Sequence, residues 1–427
     1  MLVLIAVLFG VFLVVGLPIA FALMLASIPV FVLHGAMPTT LAIQKMVTAL
    51  ENFPLPAVPF FILAGNLMNE GGITERLVRF SRLLTGWLSG GLAQVSIVLS
   101  LLMGGISGSA VADASMEARL LGPSMREQGY STAFIAAVLA FGSIITATVP
   151  PSIGLILFGY INEVSIGRLF VGGLIPGLLL TVILMGTTTI VARRRGYAPD
   201  LPHRPSAREL LRSLGESIWA LMFPVFLLIG FRFGFFTATE AGCFLVVYAI
   251  VIGAFVHREL TVTRILAAFR DTMSDLGMVM LLIMMAAVLG YAMTIERAPQ
   301  EITSFMTSLT ENPVGLLLIV CGILVVTGMF LEGAANILLV TPIVLPVLLQ
   351  AGFDPVHMGI VIVLLINFGG LTPPVGVIMF TVCSILGVKT SAYARASLPF
   401  FLAFALFFAL LLLFPWLSLV LPDLVMK

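Results

Sequence analysis

No Asp, Glu, Lys or Arg precedes Lys45, and charged residues make up only 10% of the 427-residue chain. Soluble domains carry roughly a quarter, so water is excluded as the solvent for most of this surface. Net charge is missing too: 21 Lys and Arg against 20 Asp and Glu leave +1, with no basic stripe. That excludes a nucleic-acid partner. Cysteine is scarce. Cys243, Cys321 and Cys383 stand far apart inside apolar runs and read as small hydrophobes rather than a disulfide framework. His34, His203, His257 and His357 lack metal-ligand spacing. With no nucleophile–base or His/Asp/Glu cluster anywhere, the chain does not read as an enzyme. The amino-terminal stretch also lacks the basic start and short apolar core of a secretory signal. Met1–Val32 is expected to be a retained membrane anchor, either one long tilted span or a broken pair.

What is present is apolar: 60% of residues are hydrophobic, with a mean hydropathy of +1.18. A spanning helix needs roughly 20 apolar residues. Uncharged stretches fall at 2–33, 55–68, 83–112, 132–160, 171–192, 218–231, 241–256, 276–295, 313–331, 333–350, 358–388 and 396–422. The expectation is an all-α polytopic membrane protein in a lipid bilayer. Several stretches are too short, or too broken by Gly and Pro, to cross as one regular helix. Broken backbone at membrane depth is tolerated only where protein or a wet cavity satisfies its polar groups. Function is therefore expected at the breaks. The segment Arg193–Glu216 carries Arg193, Arg194, Arg195, Arg204, Arg208 and Arg212, and a second basic stretch carries Arg258, Arg264 and Arg270. The positive-inside rule puts both on the cytoplasmic side, with two crossings between them. Glu75, Arg76, Arg79 and Arg82 mark an amphipathic stretch suited to an interface.

A single offset reveals an internal repeat. Pro123 and Pro346, Gly129 and Gly352, Tyr130 and Phe353, and the pairs Pro150-Pro151 and Pro373-Pro374 are all 223 residues apart. After a one-residue deletion, Gly154, Ile156 and Phe158 match Gly376, Ile378 and Phe380 at 222. The same offset sets the amphipathic stretch 72–87 against 295–310, and only the first is rich in arginine. If the first lies on the cytoplasmic face and the second outside, the repeats have inverted topology. Inverted repeats with interrupted helices characterise secondary transporters. The expected division is a first inverted repeat at 1–192, a cytoplasmic basic linker at 193–217 and a second inverted repeat at 218–427.

Each half holds two breaks: 104–109 and 146–152 in the first, 332–336 and 369–374 in the second. A proline pair withholds N–H groups and disfavours helix in the residue before it, freeing carbonyls upstream. Those carbonyls, with Ser, Thr or Asn oxygens, suit a hard cation such as sodium. Half-helix N-termini suit a carboxylate. Asp113 and Glu332, acids in apolar surroundings, either orient the loop tips or ligate the ion. Asn66 and Asn367 read as helix–helix hydrogen-bond partners.

The stretches Phe60–Gly72, Gly105–Ser115, Val149–Gly154, Thr237–Ala241 and Gly370–Gly376 together resemble the large membrane subunit of tripartite ATP-independent periplasmic (TRAP) transporters, over essentially the whole chain. That resemblance implies a sodium-driven, elevator-type importer of a small organic anion, such as a carboxylate, in a bacterial inner membrane. It implies two partners: a small four-helix membrane subunit and a periplasmic substrate-binding protein. No organic cofactor or transition metal is implied. Sodium and substrate would be held at the first re-entrant hairpin and its broken helix by Ser107, Gly108, Ser109, Asp113, Thr146, Thr148, Pro150 and Pro151. At the second hairpin and its broken helix the residues are Glu332, Gly333, Asn336, Gly370, Thr372, Pro373 and Pro374. A stand-alone anion carrier without partner subunits is the alternative.

Overall fold

A computed structural model describes residues 1–33, 40–51, 55–310 and 312–426; His34 lies outside them. Among the described residues the chain is helical throughout. The first half contains α1 (Leu2–Val14), α2 (Ile19–Leu33), α3 (Thr40–Leu50), α4 (Ala57–Glu70), α5 (Ile73–Thr85), α6 (Gly91–Gly104), α7 (Ala110–Leu120), α8 (Gly122–Glu127), α9 (Thr132–Thr148), α10 (Ile153–Ile161) and α11 (Ile166–Arg195). The second contains α12 (Ala207–Arg232), α13 (Ala238–Val251) with a π-helical turn at Ile252–Val256, and α14 (Val262–Ile295). After these come α15 (Ala298–Leu309), α16 (Pro313–Phe330), α17 (Gly333–Gln350), α18 (Pro355–Gly369), α19 (Val377–Leu386), α20 (Thr390–Leu413) and α21 (Trp416–Val425).

Seven of these helices are long and apolar enough to cross a membrane, and the pair α9–α10, bent by 46° at the proline break, makes an eighth. The chain is a multi-pass membrane protein. At 1.5 Å per residue the 34 residues of α14 run roughly 50 Å, well beyond a hydrocarbon core of about 30 Å. The amino-terminal apolar stretch is a broken pair: Gly16, at φ +86°, and the following Leu17-Pro18 separate α1 from α2.

Helix ends follow local chemistry. Ser206 with Glu209 and Thr237 with Glu240 form reciprocal capping boxes that start α12 and α13. Asp354 caps α18 by accepting from the Val356 and His357 N–H groups. The basic linker is shorter than its composition suggests, because α11 continues through Arg195 and α12 begins at Ala207. The connection between them is pinned by Asp200. Its N–H donates to Gly86 O, and its carboxylate accepts from Arg82 at 2.5 and 2.9 Å and from Gln128 at 2.6 Å. The bond to Asp200 raises the pKa of Arg82.

The core lies around two helices that are apolar on every side, the pattern of a fully buried helix. Every residue from Phe134 to Thr148 of α9 is buried, as is the run Val356–Ile366 of α18. Both pack against α20 through aromatic contacts, with Phe368 stacked on Phe404 at 4.3 Å and Phe141 edge-on to Phe401 at 5.0 Å.

The order of elements recurs along the chain. The series α5, α6, α7–α8, α9, α10, α11 is matched by α15, α16, α17, α18, α19, α20; α9 begins at 132 and α18 at 355, α10 at 153 and α19 at 377. Irregularities recur with it. The bonds Pro150-Pro151 and Pro373-Pro374 are both cis, and Gly129 and Gly352 both have positive φ, +82° and +89°.

Candidate functional site

Residues at four helix interruptions line one cavity. The first tip, residues 105–109, joins α6 to α7. Gly108 has φ +61°, and a Cβ there would lie 2.5 Å from Pro151 O, so glycine alone fits. Its carbonyl accepts from Ile153 N–H at 3.2 Å, tying the tip to the α9–α10 break. Ser109 caps α7 by accepting from Ala112 N–H at 3.4 Å. The Ser107 hydroxyl has no partner.

Behind the tip, Asp113 is 1% exposed. Thr146 Oγ1 donates to its Oδ2 at 2.6 Å, while Oδ1 has no partner. At the break the carbonyl of Ala147 loses its helical donor to Pro151, and Ser152 Oγ replaces it at 2.6 Å. Thr148 turns back on Ile144 O within its own helix. The carbonyl freed here is thus partly capped by protein rather than left for an ion.

The second tip, at Leu331–Gly333, joins α16 to α17. Glu332 caps α17 with its own carboxylate, Oε2 accepting from the N–H groups of Ala334 and Ala335 at 2.9 and 3.3 Å. Asn336 lies inside the helix, fully buried, with neither amide atom partnered. At the facing break, Gly370 O accepts from Met379 N–H at 3.1 Å and Thr372 O from Gly376 N–H at 3.2 Å. The Thr372 hydroxyl donates to Phe368 O at 2.9 Å. This turn closes on itself.

A cavity of ≈ 400 Å³ is lined by both tips. Of the residues named from sequence, Ser107, Gly108, Ser109, Asp113, Glu332, Gly333 and Gly370 line it. Thr146, Thr148, Pro150, Pro151, Asn336, Thr372, Pro373 and Pro374 do not; they stand behind the tips or shape the breaks. Asn66, Asn69, Asp275 and Asn367 also line the cavity, and none was assigned to the site from sequence. Asn66 does bond between helices, donating to Thr272 of α14 at 3.0 Å. Asn367 does not: it donates to Val363 O of its own helix at 2.8 Å. Asp275, an acid near the apolar run of α14, was the available signal. Among the described residues the lining contains no Lys, Arg or His.

The residues along this cavity, and the chain around them from 6 to 417, match the family described as tripartite ATP-independent periplasmic transporter, DctM component. The chain belongs to that family. It is 36% identical over 409 residues to the sialic acid TRAP transporter large permease protein SiaM of Vibrio cholerae, covering 96% of this chain and 95% of that one. It is 34% identical to the C4-dicarboxylate TRAP transporter large permease protein DctM of Pseudomonas aeruginosa, covering 90% and 89%. With the isethionate TRAP transporter permease protein DctMQ of Oleidesulfovibrio alaskensis it shares 37% identity, over 92% of this chain but 61% of that longer protein. In fold it resembles the crystal structure of the Alcanivorax borkumensis YdaH transporter, with a TM-score of 0.59, 16% identity and 87% of each chain covered. The family is one of transporter permeases, not enzymes.

Proposed function

We propose that this chain is the sodium-coupled large permease subunit of a binding-protein-dependent importer of a small organic anion in a bacterial inner membrane. The observation that carries the reading is the cavity shared by the two tips. It offers oxygen-bearing groups and helix N-termini but, among the described residues, no Lys, Arg or His. An anion held there needs mobile cations to balance it. The unpartnered Ser107 hydroxyl fits a hard cation at the first tip, with Gly108 and Ser109 completing the turn. Asp113 lies behind them, with Thr146 donating to its Oδ2. At the second tip the buried amide of Asn336 and the carboxylate of Glu332 play the corresponding parts, with Gly333 and Gly370 bringing backbone close. Thr148, Thr372 and the two proline pairs hold the breaks open. The α7 N-terminus, capped by a neutral serine, is free to meet the substrate's anionic group.

The two halves act as inverted repeats around this site, and the elements carrying the tips slide as a unit against the rest, alternately exposing the cavity. The names of the relatives, with sialic acid, C4-dicarboxylate and isethionate, support a carboxylate or sulfonate. The same names support the partners, a small four-helix membrane subunit and a periplasmic binding protein. Reconstitution of the three components in liposomes tests the reading. Uptake should require an inward sodium gradient and the loaded binding protein. Uptake indifferent to both, or driven by this chain alone, would defeat it.

A further inference from the structure

One buried acid has no part in the site just described. Glu117 sits one helical turn beyond Asp113 on the same face of α7, and its side chain is fully buried. Ser100 Oγ donates to its Oε1 at 2.8 Å, and Oε2 has no partner. The two acids share one network, since Thr146 Oγ1 contacts both Asp113 Oδ2 and the carbonyl of Ser100, the latter at 3.0 Å. Each therefore presents one bonded and one unpartnered oxygen, Asp113 at the cavity wall and Glu117 one turn behind it.

The helices most extensively packed against α7 are α6, α8, α9 and α19, and Asp275 and Glu332 line the same cavity as Asp113. Neither α6 nor α9 carries any titratable side chain, and α19 carries only Cys383. From α8 come Arg126 and Glu127; Arg126 donates to Leu386 O instead of to either acid. On α7 itself Arg119 is exposed to the outside. Among the described residues no ion pair reaches Asp113 or Glu117. Two buried carboxylates one helical turn apart do not both stay ionised without a positive charge. The second half has nothing comparable: at the 223-residue offset Glu117 corresponds to Val340 and Ser100 to Ile323.

We propose that Asp113 and Glu117 together bind one sodium ion beneath the first tip, in addition to the ions held at the tips. Their unpartnered oxygens supply the negative charge, and the Thr146 and Ser100 oxygens complete a hard, all-oxygen environment.

The test is a sodium count on the purified complex of the full chain with its membrane partner, using radioactive sodium at equilibrium. Wild type is compared with Glu117→Gln, which keeps the shape and removes the charge. One sodium fewer per chain in the variant supports the proposal. An unchanged sodium count overturns it. If the variant does not fold, wild type alone decides: a sodium count no larger than one per tip overturns it, and a larger count supports it. The variant comparison does not depend on uptake, so sodium-independent transport would sink the coupling reading while leaving this count readable.

Discussion

The two tips occupy equivalent places in the chain yet differ in chemistry. The first ends in the neutral cap Ser109, the second in the carboxylate Glu332. Inside the following helix Asp113 stands where the second half has Asn336. The first break is closed by the Ser152 hydroxyl and by the bond from Ile153 N–H to Gly108 O of the first tip, the second by backbone bonds around Gly370. Backbone geometry and side-chain chemistry are thus separable here. The geometry needs glycine and proline at matched positions, while the charge at each tip is free to differ because different partners satisfy it.

The sharpest way to break the comparison is steric. Gly108→Val places a branched side chain in left-handed backbone against Pro151 O, costing about 3 kcal/mol or more. Folded protein and transport should both be nearly lost. At Gly333 an added Cβ would meet only Asn367 Oδ1, at 3.7 Å, so Gly333→Val should leave a folded carrier. Size-exclusion profiles and uptake of the two variants check this, and equal damage would mean the tips are equally crowded.

Charge is the next difference. Asp113→Asn should raise the sodium concentration for half-maximal uptake by about tenfold, the equivalent of roughly 1.4 kcal/mol. Asn336→Ala, which removes a neutral amide, should raise it less. A sodium titration of uptake distinguishes them, and the reverse order would reassign the dominant ion to the second tip.

Capping gives a smaller effect. Glu332→Ala removes two charge-assisted bonds at 2.9 and 3.3 Å and should cost about 1 kcal/mol of stability. Ser109→Ala loses one bond at 3.4 Å and should cost less, as thermal unfolding in detergent would show. The smallest effect is expected for Thr372→Ala. Its hydroxyl bonds within its own turn and does not line the cavity, so sodium dependence should stay within about twofold of wild type.

Much of this was legible beforehand. The proline pairs and the 223-residue register placed three of the breaks, because proline's missing N–H and glycine's backbone freedom act locally wherever they occur; the one expected at 332–336 falls instead at 331–332, with Asn336 inside α17. Side-chain roles were less legible. Thr146 and Thr148 look alike in sequence. Yet one donates to a buried acid across the helix packing, while the other turns back on its own helix. Asn69 and Asp275 reach the cavity because α4 and α14 pack beside the tips, a juxtaposition between segments some two hundred residues apart.

By itself the amino-acid sequence determined that this chain lives in a bilayer, where its helices are interrupted and which family it belongs to. All three rest on composition, local backbone preference and motifs readable along the chain. Only the tertiary structure decided which interruptions share a cavity, which oxygens remain unpartnered within it and that Glu117 is buried beside Asp113 without a counter-charge. Those facts depend on which helix faces pack together, and a low-dielectric interior turns such packing into the chemistry of the site.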